Sequence, residues 1–402
     1  MTITNHSDLL VMQGESLIVP PEVHPLSDLL DLSPEEVLAA FRIRQARDFS
    51  SIIAALHDPN APVGRLLTSL RLLGGAENAF ARGILFQTGL LTALFKDLHD
   101  HVMEHPVWRH PFFVRIFRGH FDRTALEAFV VAYFNQIKNT RQCVALTAGR
   151  FHGLMGLPFG SLNERLSELT QIVLAHLIAD EYGVAATRPS PALDHLLAAT
   201  TTHIGLYRRL LDGLAIPATA QDQPMLPEVA DNVLIQRLVA SAPLFTPLEA
   251  LASVGLGMEW GVPEFFSLLL GGLIRFAYRE GVPLTRYHLA ALSEHVYCDI
   301  GHAIAVMTVT AMHVHHPEDV ASIKTAVNIL MSGRYAMMSG LYRHVFGESC
   351  PGPENIGLKV RYHITDRRIE TALQRARAAA DPAMVHAFQT WRDNQAVPFV
   401  FA

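Results

Sequence analysis

Charge is scarce in this chain. Only 17% of its 402 residues are Asp, Glu, Lys or Arg, against about a quarter in an ordinary soluble domain. Half are hydrophobic, so the chain is expected to bury a large core, and a disordered polyelectrolyte is excluded. Basic residues are outnumbered: 32 Lys and Arg face 38 Asp and Glu, for a net charge of −6. No basic run interleaves with aromatics, so a nucleic-acid partner is not expected. Cysteine is nearly absent. The three residues Cys143, Cys298 and Cys350 are scattered and form no C-x-x-C, which excludes a disulfide framework and suggests a reducing, cytoplasmic setting. A long apolar run is also missing. The most apolar stretch, Phe265 to Tyr278, is broken by Ser267, by Gly271 and Gly272 and by Arg275. It reads as a buried helix, with no expected membrane span. Met1 to Pro20 has no basic segment followed by an apolar core, so no signal peptide is expected.

Helix punctuation is plentiful. Ser33-Pro34-Glu35-Glu36, Thr124 with Glu127, Ser161 with Glu164, and Thr246-Pro247-Leu248-Glu249 all have the spacing of a capping box. Stops are expected at Gly153 to Pro158, Gly213 to Pro217, Gly281 to Pro283 and Gly347 to Pro353. The chain is therefore expected to be all-α, with helices near 34–56, 64–100, 124–152, 162–182, 191–213, 228–240, 247–280, 286–313, 317–346 and 366–392. Gly74-Gly75 is expected to break the second and Pro263 to kink or break the seventh. Gly357 to Ile364 alternates as a short strand would. The expected organisation is an N-terminal helical extension over 1–94, a main bundle over 95–346 and a helical tail over 347–402.

Metal-ligand chemistry is concentrated near position 300. His295, Asp299 and His302 form H-x3-D-x2-H in an apolar, helix-like segment. Positions i, i+4 and i+7 lie within about 60° of one another on a helix, so two imidazoles and a carboxylate share a face. Iron suits that set, and so does zinc. A site in a bundle draws its other ligands from facing helices. Glu259 is the only charged residue between Glu249 and Glu264, and Gly255, Gly257 and Gly261 around it are expected to let another backbone approach. A buried carboxylate needs a partner or an ion. Glu181, ending one helix, and His195, beginning the next after Ser190-Pro191, are the further candidates; Glu168 and His176 compete with them. Arg334 and Tyr335, in a mostly apolar helix, are candidate substrate-binding residues, Arg334 as a clamp for a carboxylate or as an interhelix ion-pairing arginine. His313, His315 and His316 read as a solvated trio at a helix end, and Trp260 and Tyr182 as packing residues.

Taken in order, Glu, His, a Glu in a Gly-rich helix and then H-x3-D-x2-H resemble the heme-oxygenase-like diiron oxidases. The surrounding text is similar as well: His105-Pro-Val-Trp-Arg-His-Pro-Phe-Phe113, Met258-Glu-Trp-Gly-Val-Pro263 and Ser293-Glu-His-Val-Tyr-Cys-Asp-Ile-Gly-His302. The resemblance covers roughly residues 95–346. It implies a heme-oxygenase-like helical bundle, with two nonheme irons held by Glu181, His195, Glu259, His295, Asp299 and His302. It also implies O2 as co-substrate and oxidation of a small amine- or carboxylate-bearing metabolite by N-oxygenation, desaturation or C–C or C–N cleavage. An external electron donor and a homodimer are compatible with it. The gap from Glu181 to His195, interrupted by Thr187-Arg-Pro-Ser-Pro191, is longer than the family usually keeps.

Other readings are open at this stage. Ferritin-like diiron proteins use two E-x-x-H helices, and the chain has no E-x-x-H. It also lacks the C-x-x-C-H of a c-type heme site. A heme oxygenase with His101, His105 or His110 as proximal ligand leaves the H-x3-D-x2-H run without a role. The same bundle supports metal-independent thiaminase-like hydrolases, for which Cys143 is the candidate nucleophile, and cofactor-biosynthesis oxidases. A non-catalytic helical protein that stores metal or binds a partner is the remaining alternative.

Overall fold

A computed structural model describes residues 88–151, 161–183 and 202–351, except 118, 218, 221–223, 298 and 315, together with five isolated residues between 54 and 68. All of these fall in one compact unit, Met1–His363. The Ser33 capping box, the Gly74-Gly75 break, His195, the 357–364 strand and the 366–392 helix lie outside the described residues.

Among the described residues the fold is all-α, without a strand. The helices are α1 (Thr88–Met103), α2 (Pro111–Phe117), α3 (Arg123–Ala148), α4 (Ser161–Glu181), α5 (His203–Gly213) and α6 (Pro227–Ser241). After these come α7 (Pro247–Ala252), α8 (Val262–Glu280), α9 (Arg286–Tyr297), α10 (Asp299–Met312) and α11 (Pro317–Phe346). Helix α1 runs continuously across residue 95. No described helix is long and apolar enough to cross a membrane.

Local chemistry accounts for the helix ends. At α7 the Thr246 hydroxyl accepts from Glu249 N at 3.1 Å, and the Glu249 carboxylate accepts from Thr246 N at 2.6 Å, closing the expected capping box. At α3 the cap is Asp122, whose Oδ1 accepts from Ala125 N at 2.8 Å. This replaces the expected Thr124: an Asp two residues earlier competes better for the free N–H groups. Gly281 and Gly347 end α8 and α11 at φ +65° and +66°, where a side chain would be strained.

The break expected at Pro263 falls slightly earlier. Residues Ser253–Trp260 form a π-helical segment, and α8 restarts after Gly261 with Pro263 in its first turn. The missing N–H of Pro263 costs nothing there. Side chains, more than backbone, use the glycines of this segment. A Cβ on Gly261 would lie 1.8 Å from the Trp108 ring, and one on Gly255 would lie 2.7 Å from Val306 Cγ1. Trp108 cannot yield easily, because it is buried and its Nε1 donates to Val102 O at 2.8 Å. Gly261→Ala is therefore expected to cost about 1–3 kcal/mol, seen as a lower midpoint in urea unfolding.

The core joins aromatic side chains of α2, α3 and α8: Phe113 meets Phe265 edge-on at 4.8 Å, and Tyr133 lies 5.3 Å from Phe265. The His-Pro repeats at 105 and 110 start two short turns. Nδ1 of His105 accepts from Val107 N, and Nδ1 of His110 from Phe112 N, both at 3.1 Å. Accepting requires the neutral imidazole, and burial lowers both pKa values from 6.5 to about 3. A histidine depressed in the folded state leaves stability intact above the unfolded value of 6.5 and removes it as pH falls from there toward 3. Each contributes a slope of about 1.4 kcal/mol per pH unit in that window. Equilibrium unfolding between pH 7 and 4 is expected to show this steep loss, and His110→Asn, which keeps an acceptor, is expected to remove one proton from it.

Candidate metal centre

Six helices and the π segment line one small cavity of about 30 Å3, room for about two water-sized atoms, with α8 contributing Val262 and Phe266. Helix α3 lines it with Tyr133, Gln136, Ile137 and Thr140, spaced i, i+3, i+4 and i+7 on a single face. Glu181 comes from the end of α4, His203 from the start of α5, Met258 and Glu259 from the π segment, His295 from α9 and Arg334 from α11.

Glu181 sits where a carboxylate is least welcome. It is the last residue of α4, where the helix dipole is negative, and it is 5% exposed. His203 answers it, with Nδ1 3.0 Å from Glu181 Oε1. The Thr202 hydroxyl fixes His203 as the first residue of α5 by accepting from Gly205 N at 3.0 Å. His295 is held on three sides. Its ring stacks on Phe266 at 4.6 Å and 15°, and meets the His203 ring edge-on at 4.6 Å. Its Nδ1 faces the Ala291 carbonyl. A carbonyl only accepts, so Nδ1 carries the proton and Nε2 keeps its lone pair. Ligand atoms of Glu181, His203 and His295 all lie within 4.8 Å of one another.

Glu259 is 2% exposed and lines the same cavity. Its place in a π segment fits the frequent use of such segments at functional sites. Arg334, 8% exposed, faces it from α11. Burial lowers the Arg334 pKa, while Tyr133 and Glu259 oppose that shift. Burial also pushes the Tyr133 hydroxyl well above its usual value, despite Arg334. That hydroxyl therefore stays protonated at neutral pH.

The six expected ligands are distributed unevenly. Glu181, Glu259 and His295 share the cavity. His302 points elsewhere, with Nε2 2.6 Å from Asp180 Oδ2. The backbone of Asp299 opens α10, and its side chain lies outside the described atoms, as does all of His195. His203 joins the set unforeseen. The sequence signal was present in Thr202, a good capping residue directly before a histidine that starts an amphipathic helix. Glu168 and His176, the competing pair, are both exposed.

Other expectations sort out as follows. Tyr335 packs edge-on against His110 at 4.7 Å and does not line the cavity. Trp260 is buried and donates from Nε1 to His99 Nδ1 at 3.0 Å. Tyr182 is exposed beneath Arg141 at 4.6 Å. His313 departs from the solvated trio: it is half-buried, bonded to Thr170 Oγ1 at 2.9 Å and packed on Phe151. Cys143 is fully buried, receives a hydrogen bond from Asn139 and has its thiol pushed up to about 12 by burial. That is the environment of an inert cysteine, not of a nucleophile.

Whether the donor set fits a metal can be judged from its chemistry. One carboxylate and two imidazoles is a recognised set for nonheme iron with open positions, and zinc accepts the same donors. Their mutual reach of 4.8 Å is wider than the roughly 3 Å between ligands of a bound ion. Glu259 lines the same cavity outside that close group. No protein-family model matches the chain, and no curated protein matches it.

Proposed function

We propose that this protein is a nonheme diiron enzyme with a heme-oxygenase-like bundle, which uses O2 to oxidise a small amine- or carboxylate-bearing metabolite. The observation that carries the reading is the meeting of Glu181, His203 and His295 with Glu259 around one buried cavity. In this proposal Glu181, His203 and His295 would hold the first ion, and Asp299, His302 and Glu259 would serve the second. His302 then has to exchange Asp180 for the ion. Bound iron supplies the electrons that activate O2.

The protein's own residues do the rest. Glu181 and His203 would hold the ion in their deprotonated forms, because ligating groups must be deprotonated. The Ala291 carbonyl keeps His295 in the tautomer that offers Nε2. Met258, Val262 and Phe266 form an apolar wall of the cavity, and the neutral Tyr133 hydroxyl would donate a hydrogen bond into it. The test is anaerobic Fe(II) titration of the full chain followed by mixing with O2. Two irons per chain and their oxidation with O2 uptake are expected. Fewer than two irons at saturation, or loaded protein inert to O2, overturns the diiron reading.

A further inference from the structure

We infer that Arg334 makes one end of the cavity an anion site, so that the substrate enters as a carboxylate and not as an amine. The inference rests on the proposed function for calling the bound molecule a substrate; the anion site itself follows from geometry. Arg334 is buried, lines the cavity and makes no hydrogen bond or close ion pair with a described residue. A guanidinium has five donors in a rigid fork, and leaving them unmet in a buried site is costly. Glu259, which lines the same cavity, acts on it electrostatically.

Once iron occupies the other end, Glu259 and Glu181 are committed to it, and Arg334 is left facing empty space with no counter-charge. A carboxylate fits that vacancy in two ways: the fork accepts it bidentately, and the protonated Tyr133 hydroxyl beside it adds a third donor. An ammonium group beside Arg334 would meet a like charge.

The rival account makes Arg334 a counter-charge that only balances Glu259. Calorimetric titration of the full chain with formate and with methylamine, small enough for the cavity, metal-free and anaerobically Fe(II)-loaded, separates the two. The anion site predicts that formate binds about tenfold or more tightly than methylamine. It also predicts that Arg334→Leu loses that preference while still loading Fe(II), and that Arg334→Lys, charged but without the fork, falls between. If Arg334→Leu does not fold, Arg334→Lys and Arg334→Gln carry the comparison. Equal binding of the two probes, or formate binding unchanged in the variants, overturns the proposal. Formate binding that depends on Arg334 in a protein unable to load iron supports the anion site and refutes the diiron reading instead.

Discussion

His203→Ala is expected to weaken Fe(II) binding by more than about 100-fold, since removing even an outer partner of a ligand costs about 10–100-fold. The effect is large for two reasons. His203 is one of three donors within mutual reach, and its loss strands Glu181, buried at a helix C-terminus with its ion-pair partner gone. Stability is expected to fall together with metal affinity, because an uncompensated buried charge costs several kcal/mol. His203→Asn separates the two effects: it keeps a donor toward Glu181 and recovers much of the stability, but it does not restore tight binding. Competition against a fluorescent chelator reads the affinity, and urea unfolding of the metal-free protein reads the stability. Wild-type affinity in His203→Ala would remove this residue from the site.

The second large effect couples stability to metal binding through Glu259. Glu259→Leu is expected to lower the unfolding midpoint of the metal-free protein and to abolish the stabilisation that Fe(II) confers on wild type. Glu259 is 2% exposed among Val254, Leu256, Met258 and Trp260, and its charge opposes the lowering of the Arg334 pKa by burial. Removing one of two buried opposite charges leaves the other uncompensated, at a cost of several kcal/mol. Thermal unfolding with and without Fe(II) measures both halves. A variant that Fe(II) still stabilises as it does wild type would remove Glu259 from the metal site.

Much of the bundle was legible because its signals are local. The capping box at Thr246, the stop glycines Gly281 and Gly347 and the start of α4 at Ser161 all depend on a few adjacent residues. The isolation of Glu259 in an apolar, Gly-rich run indicated a buried carboxylate, and Glu259 is 2% exposed. The π geometry around it was not readable. It depends on Val306 and Trp108 filling the space over Gly255 and Gly261, and those contacts come from distant elements.

His203 was missed for a similar reason. Periodicity placed a helix over 191–213 and drew attention to its first histidine, His195. Which histidine reaches Glu181 depends on where α4 ends and on how α5 packs beside α9. Conversely, 295, 299 and 302 share a helical face by spacing alone, yet Asp180 draws His302 away from the cavity. Helical spacing fixes direction from one helix; it does not reveal the competing acid on another.

Anomalous diffraction at the iron edge, from crystals grown anaerobically with Fe(II), tests the central claim most directly. The account predicts an iron peak bonded to Glu181, His203 and His295, and a second served by Glu259 and by His302 once it has left Asp180. Iron bound elsewhere, with Glu181 still paired to His203 and the cavity free of metal, would contradict it.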